Sequence, residues 1–316
     1  MPHLNFIYPN ETELQWSILI VLYPFITGLV AGAFLLASLE RVFRVEAVKP
    51  TYRLALLTAL SFLLVAPLPL QLHLGHPERS LEMYLTPHRS SAMAMFGFVY
   101  LWYLMVVLLL EIWLDYRRDI VLLARSRTGF LRVIYKIMTL GSDNISERSL
   151  HLDERVGYII TVIGIPSAFL LHGYVGFIFG SIKANPWWSS PLMPVVFIFS
   201  AMVSGIAAVM LLYMLLTRMR GRRVNIDCVD AIAKYLFYIF LIDFSLEMLD
   251  LKGSIYRRID QTLSVGRRLA GLESGEPRIH RSIDLNLHQL AAGAPAQLGA
   301  GAPQIMRRYA GNADFG

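Results

Sequence analysis

The sequence predicts an all-α polytopic membrane protein with about six transmembrane helices, and three observations lead there. The 316 residues are 55% hydrophobic and only 16% charged, with a mean hydropathy of +0.51. A soluble core of this size would not bury that much apolar side chain. Apolar stretches long enough to span a bilayer, roughly 20 residues at about 1.5 Å each, recur along the chain. Lysine and arginine, finally, are concentrated in every second connection between those stretches.

The spans are expected at Trp16 to Leu39, Leu54 to Leu74, Ala92 to Leu114, Val156 to Phe179, Leu192 to Leu216 and Ala231 to Leu251. The first follows acidic Glu11 and Glu13, exceeds the length of a signal-peptide core and lacks a cleavage site, so it is expected to stay in the mature protein. It carries Pro24 and a Gly28/Gly32 pair at G-x-x-x-G spacing, which predicts a kink and a close helix contact. The second holds Pro67 and Pro69 and is closed by Gly75 and Pro77. Trp113 and Tyr116 end the third at interfacial depth. The fourth contains Pro166 and a second glycine pair, Gly176 and Gly180, while Trp187 and Trp188 precede the fifth. The connection 115–155 interleaves Phe130, Leu131, Val133, Ile134, Ile137 and Met138 with Arg132 and Lys136, a pattern that suits either an amphipathic surface helix or a docking loop.

Connections 40–53, 115–155 and 217–230 hold four, eight and four Lys/Arg, against none, two and one in 1–15, 75–91 and 181–191. This positive-inside pattern places the N-terminus outside and the basic loops in the cytoplasm. Because the net charge of +6 is distributed by loop, it argues for the lipid bilayer as partner and against nucleic acid. The single cysteine, Cys228, excludes a disulfide framework, a four-cysteine iron–sulfur cluster within the chain and C-x-x-C-H haem attachment. From Lys252 to Gly316 the chain turns basic and rich in Ala, Gly and Pro, so the transmembrane domain is expected at 1–251 and a largely disordered or weakly helical tail at 252–316.

Polar residues within spans are costly unless paired or functional. His73 lies about 28 Å along span two and His172 about 24 Å along span four, both in the outer half. Gln15 and Tyr23 open span one, and Tyr174 follows His172. Donors from three helices are therefore expected at one level, where a quinone head group would find partners for its two carbonyl oxygens; plain helix–helix hydrogen bonding is the competing reading. His76 with Glu78 and Arg79 forms a polar rim beyond span two, and Asp243, Glu247 and Asp250 follow i, i+4, i+7 spacing in span six. His76, Asp243 and Glu247 are the candidates for proton transfer. Glu111, near the inner end of span three, is either a proton carrier or a membrane-edge carboxylate. A metal at His73/His76 is not expected, because no cysteine or acidic cluster completes a site.

Four strings carry a resemblance: the run from Leu22 to Ala33, the turn from Leu74 to Arg79, the segment from Pro87 to Met93, and His172 to Gly176. Over roughly residues 10–250 the chain resembles the NrfD/PsrC (polysulfide reductase membrane subunit) family, and the string from His73 to Met95 looks most like its DsrP branch. The resemblance implies two four-helix bundles, a quinone site near the outer face with menaquinone or ubiquinone as substrate, and a location in the bacterial inner membrane. It also implies a ferredoxin-like iron–sulfur partner subunit among further redox subunits, no bound redox cofactor in this chain, and a role in sulfur metabolism. The family's site residues map onto Gln15, Tyr23, His172 and Tyr174. After about Leu251 the chain departs from the family pattern, where further spans would be expected, so an incomplete second bundle is an expectation too. Two other functions fit parts of the pattern: a haem b cytochrome with His73 and His172 as an axial pair, and a transporter, against which the placement of charges near span ends argues.

Overall fold

The computed structural model describes residues 17–269 apart from 75, 87, 89 and 183–187. Among these residues all regular structure is helical. Five helical stretches are long and apolar enough to cross a bilayer: Ile18–Arg41, Glu46–His73, Ala92–Ser126, Glu147–Gly180 and Met193–Met219. The sixth expected span lies within a longer helix, Ile226–Leu269. It falls short of the other five in apolar composition, because Lys234, Asp243, Glu247 and Asp250 interrupt its apolar run. The compact unit Met1–Ile255 contains the bundle; of Tyr256–Gly316, the described part is helical to Leu269. The rest of the expected tail, 270–316, lies outside the described residues.

Helix α1 (Ile18–Arg41) is the hub, packed against the second, fourth and fifth spans. Its residues Val30, Ala33, Phe34 and Ala37 are fully buried, so small side chains set the approach of its neighbours. Span two breaks where Pro67 follows Ala66, giving α2 (Tyr52–Val65) and α3 (Pro67–His73). After the short α4 (Glu82–Leu85), span three runs as α5 (Ala92–Trp102), a π-helical segment over Tyr103–Leu109, and α6 (Leu110–Ser126). The basic connection then forms α7 (Gly129–Met138), none of whose residues is buried. Phe130, Leu131, Val133 and Ile137 stand exposed on it, as the amphipathic-helix reading expects. Helices α8 (Glu147–Gly180) and α9 (Met193–Met219) complete the bundle, and α10 is Ile226–Leu269.

Gly32, Gly176 and Gly180 of the two pairs sit where backbones meet. A methyl group at Gly32 would lie 2.2 Å from the Ala201 carbonyl oxygen and 2.8 Å from the Gly205 Cα. One at Gly176 would lie 2.8 Å from both the Met193 carbonyl oxygen and the Pro194 Cα. Since backbone cannot swing aside as a side chain can, Gly32→Ala must push α1 and α9 apart. The expected cost is about 1–3 kcal/mol, with Gly32→Val worse. Thermal unfolding of the detergent-solubilised protein checks it, and an unchanged midpoint in both variants would refute the close approach.

The basic-loop end is tied together by Arg117, whose side chain is only 1% exposed. Its guanidinium ion-pairs with Asp153 and donates to the Ser142 Oγ (2.9 Å), the Asn144 carbonyl (2.7 Å) and the Ser149 Oγ (2.8 Å). One side chain thus fastens the long connection and the start of α8 to α6.

Candidate functional site

Helices α1 and α8, each with an internal proline (Pro24 and Pro166), bring His172 against the Tyr23–Gly28 turn. Gly28 provides the room, because a methyl there would lie 3.1 Å from Cε1 and 3.3 Å from Nε2 of the His172 ring. The ring is 4% exposed and tilts against Phe197 of α9 at 5.5 Å between centroids. Its Nδ1 lies 3.4 Å from the Thr27 Oγ1. That hydroxyl is also 3.1 Å from the Pro24 carbonyl and 3.3 Å from the Tyr23 carbonyl, so its proton goes to the backbone and its lone pair is left to accept from Nδ1–H. The neutral imidazole assigned this way carries its free lone pair on Nε2.

Aromatic rings extend the site from α1 to α5 and α8. Tyr23 meets Phe96 edge to face at 5.8 Å, and Phe96 stacks on Tyr174 at 5.7 Å with 19° between planes. The Tyr174 hydroxyl donates to the Ala92 carbonyl at 2.9 Å, which fixes that ring to the start of span three. Tyr84 and Tyr100 are electrostatic neighbours of Tyr23. Tyr23 and Tyr174 thus meet through Phe96, and the Thr27 hydroxyl lies between the Tyr23 carbonyl and His172 Nδ1, so these three expected residues form a chain of contacts, with His172 and Tyr174 on different sides of α8.

The others do not join it. Gln15 lies outside the described residues. His73 pairs its Nδ1 with the Ser17 hydroxyl at 2.9 Å. Ser17 and Thr27 are ten residues apart on α1, about 15 Å along the axis, so His73 sits well outside the level of His172. The shared level expected for the two histidines is thus not found, and with it goes the geometry of a bis-histidine haem. His76 stands exposed with Glu78 at 3.0 Å. The three carboxylates of α10 differ in surroundings: Asp243 is 6% exposed, with Oδ1 lacking a partner among the described residues, Glu247 is exposed, and Asp250 accepts from the Ser190 hydroxyl.

A second buried polar group, Glu111 of α6, lies toward the basic-loop side. Its Oε1 accepts from the Thr161 hydroxyl at 2.8 Å and the Tyr52 hydroxyl at 3.4 Å, while Oε2 has no partner among the described residues. Arg41 donates to the Tyr52 oxygen at 2.7 Å and reaches Asp115 at 3.4 Å, and Arg53 joins Asp115 to Asp119. A polar chain therefore leads from Glu111 to the basic-loop surface. Thr161 and His172 are about 16 Å apart along α8, and Phe34 and Tyr103 pack in contact between the two levels. Sequence reading left Glu111 open between a proton carrier and a membrane-edge carboxylate, and missed Thr27, Phe96 and Phe197. Thr27 carried a signal, since it shares a helical face with Tyr23 at i, i+4 spacing; the rings of α5 and α9 carried none.

Fold and site together define a polytopic helical membrane protein with a buried histidine held between Thr27 and Phe197. The chain matches the family described as Polysulphide reductase, NrfD, over residues 8–266, and it belongs to that family. It is similar to the C subunit of selenate reductase from Mesobacillus selenatarsenatis, 32% identical over 63% of this chain and 48% of that protein. It is similar also to the membrane C subunit of a putative dimethyl sulfoxide reductase from Halobacterium salinarum, 31% identical over 65% and 44%. To the protein NrfD of Escherichia coli it is 28% identical over 63% and 59%. The chain thus aligns with about half the length of these curated relatives.

Proposed function

We propose that this chain is the quinone-interacting membrane subunit of a respiratory oxidoreductase complex, exchanging electrons with an iron–sulfur partner subunit in the bacterial inner membrane, N-terminus outward. The observation that carries this reading is the His172 site, a buried imidazole with one nitrogen tied to Thr27, the other left with a lone pair, and its ring packed against Phe197. In the direction of quinol oxidation, Nε2 accepts a hydroxyl proton. The two electrons of the quinol pass to the partner's cluster, and its two protons pass to water. Reduction of a quinone runs the same steps backward. The names of the relatives, selenate reductase and dimethyl sulfoxide reductase, support an anchor for a reductase whose terminal substrate is bound by another subunit. Sulfur metabolism of the DsrP type is the finer form of this proposal.

Optical spectroscopy and quinone binding on the complex purified through this subunit test it. The expected result is saturable binding of a menaquinone or ubiquinone analogue and no haem b absorption assignable to this chain. A Soret band that stays with the isolated subunit, or the absence of quinone binding by the intact complex, would overturn it.

A further inference from the structure

Between α2 and α9, at the basic-loop end of both spans, a cavity of ≈ 310 Å³ is lined by Pro50, Leu54, Tyr213, Leu216, Thr217, Arg220, Arg222 and Arg223. Its two ends differ in chemistry. The outer rim holds three guanidinium groups within four residues, brought round the cavity by the turn at Gly221, which adopts φ +65° in the left-handed region where glycine has no steric penalty. Nearby acids do not neutralise them: Asp227, four residues after Arg223, forms no ion pair among the described residues, Asp230 pairs with Lys234 at 2.8 Å, and Glu46, beside Pro50, pairs with Lys49. Among the described residues, none of the three arginines forms an ion pair or a side-chain hydrogen bond. Pro50, Leu54 and Leu216 supply an apolar wall, and both helices also expose leucines elsewhere along their length, Leu57 and Leu64 on α2 and Leu211 and Leu215 on α9.

We propose that this cavity binds the head group of an anionic phospholipid, its phosphate among Arg220, Arg222 and Arg223 and its acyl chains along Leu54 and Leu216. An arginine fork matches phosphate oxygens in geometry as well as charge, and basic pockets between spans on the cytoplasmic side suit acidic lipid head groups. The apolar wall selects among anions. A soluble phosphate or an acidic protein segment would satisfy the arginines but gain nothing from leucines that open toward the hydrocarbon, whereas a lipid satisfies both ends at once. Hydroxyls of Tyr213 and Thr217 line the junction, where the glycerol backbone lies. The inference is independent of the quinone reading, because lipid retention is read without turnover.

The test is lipid retention by the purified, delipidated full-length chain after exchange into nanodiscs of phosphatidylcholine doped with phosphatidylglycerol, followed by native mass spectrometry. The wild type is expected to retain phosphatidylglycerol at least about tenfold over phosphatidylcholine, an ordinary strength for a specific site. The triple variant R220Q/R222Q/R223Q should lose that preference. Leu54→Trp, which fills the cavity and keeps every charge, should lose it too, so surface charge alone cannot mimic the result. Equal retention of the two lipids by the wild type, or a preference unchanged in both variants, would overturn the proposal. Displacement of the lipid by millimolar inorganic phosphate would instead make this a soluble-anion site, and binding of a polyglutamate peptide that excludes lipid would make it a protein-docking site; either outcome also defeats it.

Discussion

His172→Ala is expected to lower quinol turnover by the intact complex by about 100-fold or more, the range lost with a positioned general base. The substitution removes the one imidazole that lies between Thr27 and Phe197, while leaving the Phe96 and Tyr174 rings in place. The loss should therefore fall on kcat more than on KM. His172→Gln sharpens the test, because an amide can hydrogen-bond a quinone oxygen but cannot carry a proton. It should bind quinone nearly as the wild type does and turn over as poorly as the alanine variant. Full activity in the glutamine variant would remove His172 from the proton path, and loss of binding in both would make it a positioning residue.

Arg117→Ala is expected to be the most destabilising single substitution at the basic-loop end, by about 3–5 kcal/mol, the cost of breaking a buried ion pair from one side. The cost comes less from the lost attraction than from what stays behind. Asp153 keeps a half-desolvated charge, and the Asn144 carbonyl and two serine hydroxyls lose their donor. Adding Asp153→Asn should recover part of the loss, and a double-mutant cycle read by thermal unfolding measures how much. Additive effects of the two substitutions would show that the pair is not coupled.

The bundle was legible in the sequence because membrane insertion leaves a coarse record: apolar length, loop charge, proline and glycine at contacts. Five spans appear where the apolar runs stand, three of them extended by about eight to twelve residues beyond the expected bounds at the basic-loop end, and the Gly28/Gly32 and Gly176/Gly180 pairs lie at close contacts. The sixth shows the limit of that record, since the carboxylates that suggested a proton path there are the same residues that dilute its apolar character. In the site, Tyr23, His172 and Tyr174 could be placed by depth alone, but depth is one coordinate. It put His73 and His172 on a common level, whereas the break at Pro67 and the cap at Ser17 set His73 a further stretch toward the N-terminal end of α1. Azimuth around each helix decides which rings meet, and no one-dimensional pattern fixes how the bundle turns Phe96 and Phe197 inward.

The π-helical stretch Tyr103–Leu109 bears on how related chains should be compared. Wider winding absorbs an additional residue without lengthening the span in proportion, and each residue of an ordinary helix turns its face by about 100°. The halves of span three are consequently out of phase, so that Phe96 can look toward Tyr23 and Tyr174 while Glu111 looks toward Tyr52 and Thr161. A relative one residue shorter here would preserve both partnerships only by shedding the wide turn. Gaps opened in alignments at this place would then mark a change of helical phase, and counting positions straight through them would compare residues that point in different directions.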